Sequence, residues 1–257
     1  MRKNGRRKLA KINNRKKAVI ICVEAILILI IIFCFTKIVV WATCSMVESD
    51  KNSKLNEEVV KIYREDRSDN VDIYEEKEEE EEAKTTYIDF DKLEEINNDI
   101  VGWIIIDGTN INYPILQTSN NDFYLHNNYM KEYSQSGSIF LDYRCDLFND
   151  KATVIYGHNM TDGKMFHELT KIYNHELGDS VKIEIYTKEK DYIFNVISTF
   201  MIMPDEFSLE CNFKDLVNRS IYNFEFGNVD ENRIVALYTC NITADKRIIV
   251  YGALCNK

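Results

Sequence analysis

The sequence predicts a mainly β domain, built as a single antiparallel barrel or sandwich, behind an N-terminal membrane helix. Short runs rich in Ile, Val, Leu and Tyr recur between polar turns, and they outnumber helical patterns by more than two to one. Their spacing is typical of one all-β domain. One apolar stretch near the N-terminus is far longer than any of these runs. With 257 residues, 45% of them hydrophobic, the chain has enough apolar surface for one core of good size.

The N-terminus combines a basic tail with this long apolar segment. Residues 1–17 carry nine Lys or Arg and no acid, and residues 18–42 are 25 mainly apolar positions. Such a segment is long enough to cross about 30 Å of hydrocarbon, and the positive cluster orients the tail towards the cytoplasm. A cleaved signal peptide is the alternative, but the run exceeds a signal core and no clear small-residue cleavage site follows. We expect a single-pass anchor in the lipid bilayer, with the folded domain outside the cell, and not a tail that binds nucleic acid.

Residues 43–86 predict a solvated spacer between the anchor and the folded domain. The segment is polar, and seven of the eight positions 75–82 are Glu. Like charges at this density repel one another, so the segment is expected to be an extended or weakly helical stalk. The folded domain then comprises residues 87–257.

Local signals predict the elements of this domain in chain order. Asp89 is expected to cap a short helix that ends at Ile96, because its carboxylate accepts hydrogen bonds from free N–H groups. Pro114 cannot donate to a sheet, so its strand is expected at an edge or a bulge. The predicted strands are 101–106, 111–116, 138–141, 152–156, 180–186, 192–203, 233–240 and 247–254, and further helices are predicted at 165–172 and 213–224.

The last two predicted strands bring together two chemically complementary residues. Cys240 ends the first strand and Arg247 begins the second, so a thiol and a guanidinium meet at the mouth of one sheet. A thiolate is stabilised by a nearby cation, and acyl chemistry also needs a group that handles protons. His158, directly after the predicted strand 152–156, is the candidate for that group. Side chains held at the ends of rigid strands commonly form catalytic sites, and we predict a Cys–His–Arg site.

Other chemistries are disfavoured by what the sequence lacks. It contains no Cys-x-x-Cys pair and no Cys/His cluster, which disfavours a zinc site or a dense disulfide framework. It contains no Gly-x-Ser-x-Gly motif, which disfavours a serine hydrolase of that type. We expect no cofactor and no metal, and we expect Cys145, Cys211 and Cys255 to be small buried thiols.

The segments around the candidate residues resemble one known family. LYTC at 237–240, followed by Arg247, is similar to the TLxTC and Arg signature of sortases. YGHNMTDGKMFHELTKIY at 156–173 resembles the His-containing segment of class B sortases. Two further class B segments are similar to NYPILQTSNNDFYL at 112–125 and GSIFLDYRC at 137–145. The resemblance covers about residues 87–254.

This resemblance implies a closed antiparallel β-barrel with a few short peripheral helices, and a cysteine transpeptidase of a Gram-positive bacterium. Cys240 would attack the Thr carbonyl of a C-terminal sorting motif in a secreted surface protein and form a thioacyl enzyme. His158 would protonate the leaving amine and later deprotonate the incoming one. Arg247 would donate hydrogen bonds to the oxyanion or hold the substrate strand. An amine of a peptidoglycan cross-bridge, or of a pilin lysine, would release the product.

The same resemblance suggests a substrate groove and leaves two alternatives open. Residues aligned with the class B groove are Asn121, Leu125, Leu209, Tyr238 and Thr239. The family often has Ser where Tyr238 stands, and often a longer insertion than 241–246, so the sorting motif stays open. One alternative is a cysteine peptidase that passes the acyl group to water. The other is a non-catalytic anchored binding module on a degenerate fold of the same kind.

Overall fold

The computed structural model describes residues 2–68, 88–147, 150–208, 212–240 and 245–256. The chain divides into two compact units, residues 1–55 and residues 56–257. The acidic run 75–82, the predicted domain start at 87, and the predicted positions Leu209 and Cys211 lie outside the described residues. The stalk and the exact domain boundaries therefore stay predictions.

The N-terminal helix α1 spans Arg2–Ser68. Within it, Ile20–Cys44 is a 25-residue stretch with a mean hydropathy of 2.7, and none of it is buried. By length and composition, this is the one helix of the described residues that is apolar enough to cross a membrane. The helix continues past residue 42 into the first part of the predicted stalk.

A closed barrel forms the core of the second unit, as the sequence predicted. Its strands follow one another around the barrel in the order β1-β2-β3-β4-β7-β8-β6-β5. The strands of the described residues are β1 (Ile100–Ile106), β2 (Asn112–Leu116), β3 (Ile139–Leu141), β4 (Ala152–Tyr156), β5 (Lys182–Tyr186), β6 (Asp191–Ile202), β7 (Val229–Cys240) and β8 (Arg247–Cys255).

Short helices lie around the barrel. Helix α2 (Phe90–Ile96) begins where Asp89 accepts a 2.9 Å hydrogen bond from the Lys92 backbone N–H, as the predicted cap requires. A 3₁₀ turn at Phe166–Glu168 leads into α3 (Leu169–Tyr173), and a second such turn spans Pro204–Glu206. Helix α4 (Phe213–Arg219) ends earlier than the predicted residue 224, because the chain turns to an extended conformation at Ser220.

Two of the strand pairings are parallel, although a purely antiparallel barrel was predicted. These pairings join β2 to β3 and β4 to β7. The pairing of β2 with β3 begins only at Ile115, so Pro114 lies where β2 pairs with β1 alone, in agreement with its predicted edge position. Parallel strands end at the same rim of a barrel. The chain segments that follow β4 and β7 therefore start side by side.

Candidate active site

Two adjacent strands, β7 and β8, and the loop that follows a third, β4, place the three predicted catalytic residues at one rim of the barrel. Strand β7 lies between β4, with which it is parallel, and β8, with which it is antiparallel. Tyr156 of β4 pairs with Tyr238 of β7, and the ladder continues because the Gly157 N–H donates to the Tyr238 carbonyl at 3.2 Å. His158 and Cys240 each lie two residues beyond the Tyr156–Tyr238 pair.

Arg247 stands on the other side of Cys240. The two residues are direct partners in the register of β7 and β8. Since neighbouring strands lie about 4.8 Å apart, the backbone of Cys240 has Arg247 beside it on one strand and the start of the His158 loop beside it on the other. The fold thus brings the start of the His158 loop beside Cys240 and Arg247, from which it is far apart in the sequence.

The imidazole of His158 is oriented by the loop that contains Leu125. The half-buried ring has its Nε2 atom 2.9 Å from the Leu125 carbonyl oxygen. A carbonyl oxygen only accepts hydrogen bonds, so Nε2 carries the proton, and the lone pair of the neutral ring is on Nδ1. The His158 carbonyl accepts a hydrogen bond from Phe166 N–H at 2.9 Å, which closes the loop after β4. Nδ1 is therefore the ring atom that can accept a proton.

Close packing around Gly157 fixes the position of the backbone directly before His158. An added Cβ at this position would overlap the Cδ1 atom of Ile139 and would lie 2.7 Å from a ring carbon of Phe166. Phe166 is completely buried and Ile139 nearly so, and neither has space to retreat. Only glycine fits between Tyr156 and His158 without displacing the core.

Asn121 is anchored by a buried carboxylate. Its amide nitrogen donates to Asp142 Oδ2 at 3.0 Å, and its amide oxygen accepts from the Tyr143 N–H at 3.0 Å. Burial raises the pKa of Asp142, but hydrogen bonds from Arg144, Asn121 and Tyr156 outweigh it and hold the pKa well below the usual range. Burial and the nearby Asp142 carboxylate raise the pKa of Tyr156, so its hydroxyl stays protonated.

Tyr238 and Thr239, which directly precede Cys240, have different environments. The half-buried Tyr238 packs edge-on against Tyr156 and Phe207, with ring centroids 5.3 Å and 5.0 Å away. Thr239 is buried, and its hydroxyl has no hydrogen-bond partner among the described residues. The predicted role of both residues in substrate binding stays a prediction, as it does for Asn121 and Leu125.

Two other cysteines of the barrel are poor nucleophiles. Burial raises the pKa of both Cys145 and Cys255, so their sulfurs are protonated thiols at neutral pH. Cys145 is buried, as predicted, whereas Cys255 is half-buried. No group of three or more His, Cys, Asp or Glu within the described ranges is arranged to hold a metal ion.

Sequence reasoning missed three residues of this site. Asp142, Tyr156 and Gly157 had no assigned role, although all three lie in segments that resemble class B sequences. Gly157 had a local signal, since it stands between a strand and the candidate histidine. Asp142 and Tyr156 had none, because their contacts join different strands.

Comparison with known proteins assigns the barrel to a family. A family model described as the sortase domain matches residues 104–255. The chain is 36% identical over 185 residues to sortase B of Listeria monocytogenes, and the match covers 64% of this chain and 73% of that protein. The crystal structure of Clostridium perfringens sortase B superposes with a TM-score of 0.60 at 31% identity, covering 65% of this chain and 100% of the other. A Staphylococcus aureus sortase B–substrate complex gives a TM-score of 0.66 at 27% identity, covering 83% and 99% of the two chains.

The packing at Gly157 yields a test of how His158 is held. We expect Gly157→Ala to lower the free energy of unfolding by about 1–3 kcal/mol, because the added methyl overpacks the core. Chemical denaturation of the residue 56–257 unit measures this change.

A double-mutant cycle with Ile139→Val provides the control. Valine lacks the Cδ1 atom that the added methyl would meet, so the double variant should lose less stability than the two single variants together. Strict additivity of the two losses would contradict the steric explanation.

Proposed function

Because this chain belongs to the sortase family, as a class B member, we propose that it is a membrane-anchored cysteine transpeptidase with Cys240, His158 and Arg247 as catalytic residues. The observation that supports this assignment best is the register of β4, β7 and β8. Tyr156 pairs with Tyr238 two residues before His158 and Cys240, and Cys240 pairs with Arg247. A nucleophile, a proton-transfer group and a cation are the components that acyl transfer through a thiol requires.

In the first half-reaction, the thiolate of Cys240 attacks the carbonyl carbon of the Thr residue in a sorting motif. The C–N bond breaks, and the acyl part of the donor protein stays on sulfur as a thioester. The leaving amine takes a proton from His158 in its imidazolium form. In the second half-reaction, an incoming amine attacks the thioester and loses a proton to His158, which releases the Cys240 thiolate and restores the imidazolium.

Arg247 is suited to stabilise the oxyanion of both tetrahedral intermediates. A guanidinium keeps its charge throughout physiological pH and presents several N–H donors in one plane. The side chain is half-buried and donates to the Lys246 carbonyl at 3.3 Å, which leaves other N–H groups for an oxyanion. Partial burial strengthens such a bond relative to one in water.

The proposed donors are secreted surface proteins with a C-terminal sorting signal. The acceptor is an amine of a peptidoglycan cross-bridge or of a pilin lysine. Asn121, Leu125, Leu209, Tyr238 and Thr239 are proposed to line the donor groove, and a solved sortase B–substrate complex from Staphylococcus aureus supports substrate binding by this fold. Residues 18–42 would anchor the enzyme in the cell membrane with the N-terminus cytoplasmic and the barrel outside.

The thioacyl intermediate can be trapped directly. Full-length protein in detergent micelles, incubated with a panel of Asn-Pro-x-Thr and Leu-Pro-x-Thr-Gly type peptides, should gain the mass of the N-terminal peptide fragment. We expect Cys240→Ala to abolish this adduct and to slow cleavage by ~10³-fold or more, because it removes the nucleophile. We expect His158→Gln to slow cleavage by about 10²-fold to 10⁴-fold.

Cys255→Ala is the matched control, because it removes another thiol from the same barrel. That variant should form the adduct at the normal rate. An adduct that persists in Cys240→Ala would rule out Cys240 as the nucleophile.

Partitioning between amine and water separates a transpeptidase from a peptidase. Adding triglycine or a lysine-containing peptide should produce a ligated product and raise the turnover of the donor, since the amine competes with water for the thioester. Chromatography with mass detection measures both products. Release of the free acid alone, at a rate that no amine changes, would favour the peptidase.

A further inference from the structure

A fully buried carboxylate lies between two segments of the active-site rim. Asp142 directly follows β3 and has 0% exposure. Its Oδ2 atom accepts hydrogen bonds from the Tyr156 hydroxyl at 2.9 Å and the Asn121 amide at 3.0 Å. Arg144 donates to both oxygens, from its guanidinium at 2.7 and 2.9 Å and from its backbone N–H at 2.9 Å. Both carboxylate oxygens therefore accept at least two hydrogen bonds.

Both segments that Asp142 binds are connected to His158, one through the chain and the other through a hydrogen bond. Tyr156 lies two residues before His158 on β4, and its ring packs between Phe140 and Tyr238 at centroid distances of 5.3 Å each. Asn121 lies four residues before Leu125, whose carbonyl accepts the hydrogen bond from His158 Nε2. One carboxylate therefore contacts both the strand that carries the imidazole and the loop that orients it.

We propose that Asp142 is a positioning residue, which fixes the tautomer and orientation of His158 by holding the Tyr156 strand end and the Asn121–Leu125 loop in one arrangement. Asp142 acts through these two segments and not on the substrate. A catalytic imidazole needs such support, because a displacement of about 1 Å reduces the rate substantially.

The donor pattern explains why this position requires a carboxylate. Three donors converge on Oδ2 and two on Oδ1, so both oxygen atoms must accept hydrogen bonds. An asparagine of nearly the same shape would place an NH₂ group against one of these sets of donors. Asp142→Asn therefore changes hydrogen bonding with almost no change in volume.

The ring nitrogens of histidine report the proposed effect without any substrate. The chain has four histidines, so ¹⁵N-histidine labelling of the full-length protein in micelles gives few signals, and His158→Gln identifies those of residue 158. At about pH 8.5, where an ordinary histidine is neutral, the wild type should show His158 with the proton on Nε2. In Asp142→Asn we expect a mixture of the Nε2–H and Nδ1–H tautomers, because the Leu125 carbonyl is no longer held in place.

Kinetics supply a second readout that a merely structural role would not change in the same way. We expect Asp142→Asn to reduce kcat for peptide ligation by about tenfold to a hundredfold. Tyr156→Phe removes one hydroxyl from the same network and should shift the tautomers and kcat in the same direction, to a smaller extent. This second variant decides the question if Asp142→Asn does not fold.

Asp179→Asn is the matched control, since it also converts a carboxylate beside a histidine into an amide. His175 Nε2 lies 3.0 Å from Asp179, so this variant should move the His175 signal and leave His158 unchanged. A folded Asp142→Asn or Tyr156→Phe protein with wild-type His158 tautomers and unchanged kcat would overturn the proposal. The kinetic readout rests on the proposed transpeptidase function, whereas the nitrogen signal does not. A wild-type protein that ligates no peptide would therefore refute the transpeptidase function. The ¹⁵N signals of His158 would still decide whether Asp142 positions the imidazole.

Discussion

The structure depends on the pairing of β7 with a parallel neighbour on one side and an antiparallel neighbour on the other. The parallel partner β4 brings His158 to the rim where β7 ends, and the antiparallel partner β8 begins with Arg247 at that same rim. Backbone hydrogen bonds define this register, and a slip of one residue would reverse the face of every side chain. Apolar side chains of these strands are buried in the core, so such a slip would expose them to water.

Close packing and hydrogen bonds hold the segments on either side of His158. The chain enters the His158 loop through Gly157, which has no space for a side chain, and leaves it through a hydrogen bond from Phe166. Asp142 ties the Asn121 loop to β4 with hydrogen bonds to a charged group, which contribute about 1.5–3 kcal/mol each when net effects are counted. Burial also raises the pKa of Cys145 and Cys255, so these two thiols stay protonated at neutral pH.

Local patterns in the sequence predicted most of the barrel, because strand periodicity and turn residues are short-range signals. Strand β4 was predicted with its observed bounds, and the final hairpin was predicted to within a few residues. The parallel pairing of β4 with β7 was not predicted, since residue patterns show that a strand is buried but not which strand it pairs with. The role of Asp142 was also missed, because its partners Asn121 and Tyr156 come from other segments. Leu209 lies outside the described residues, so its predicted contact with substrate stays a prediction.

The register of β4 and β7 places residues 158 and 240 beside each other, and a cross-link tests this proximity. In a His158→Cys variant, the short thiol cross-linker dibromobimane should bridge the thiols at 158 and 240 and become fluorescent, because neighbouring strands lie only ~5 Å apart. Mass spectrometry would then identify one peptide that joins positions 158 and 240, and a Lys151→Cys variant, at the other end of β4 beside Ile234, should give no bridge to Cys240. Single alkylation at each cysteine, with no joined peptide, would contradict the account.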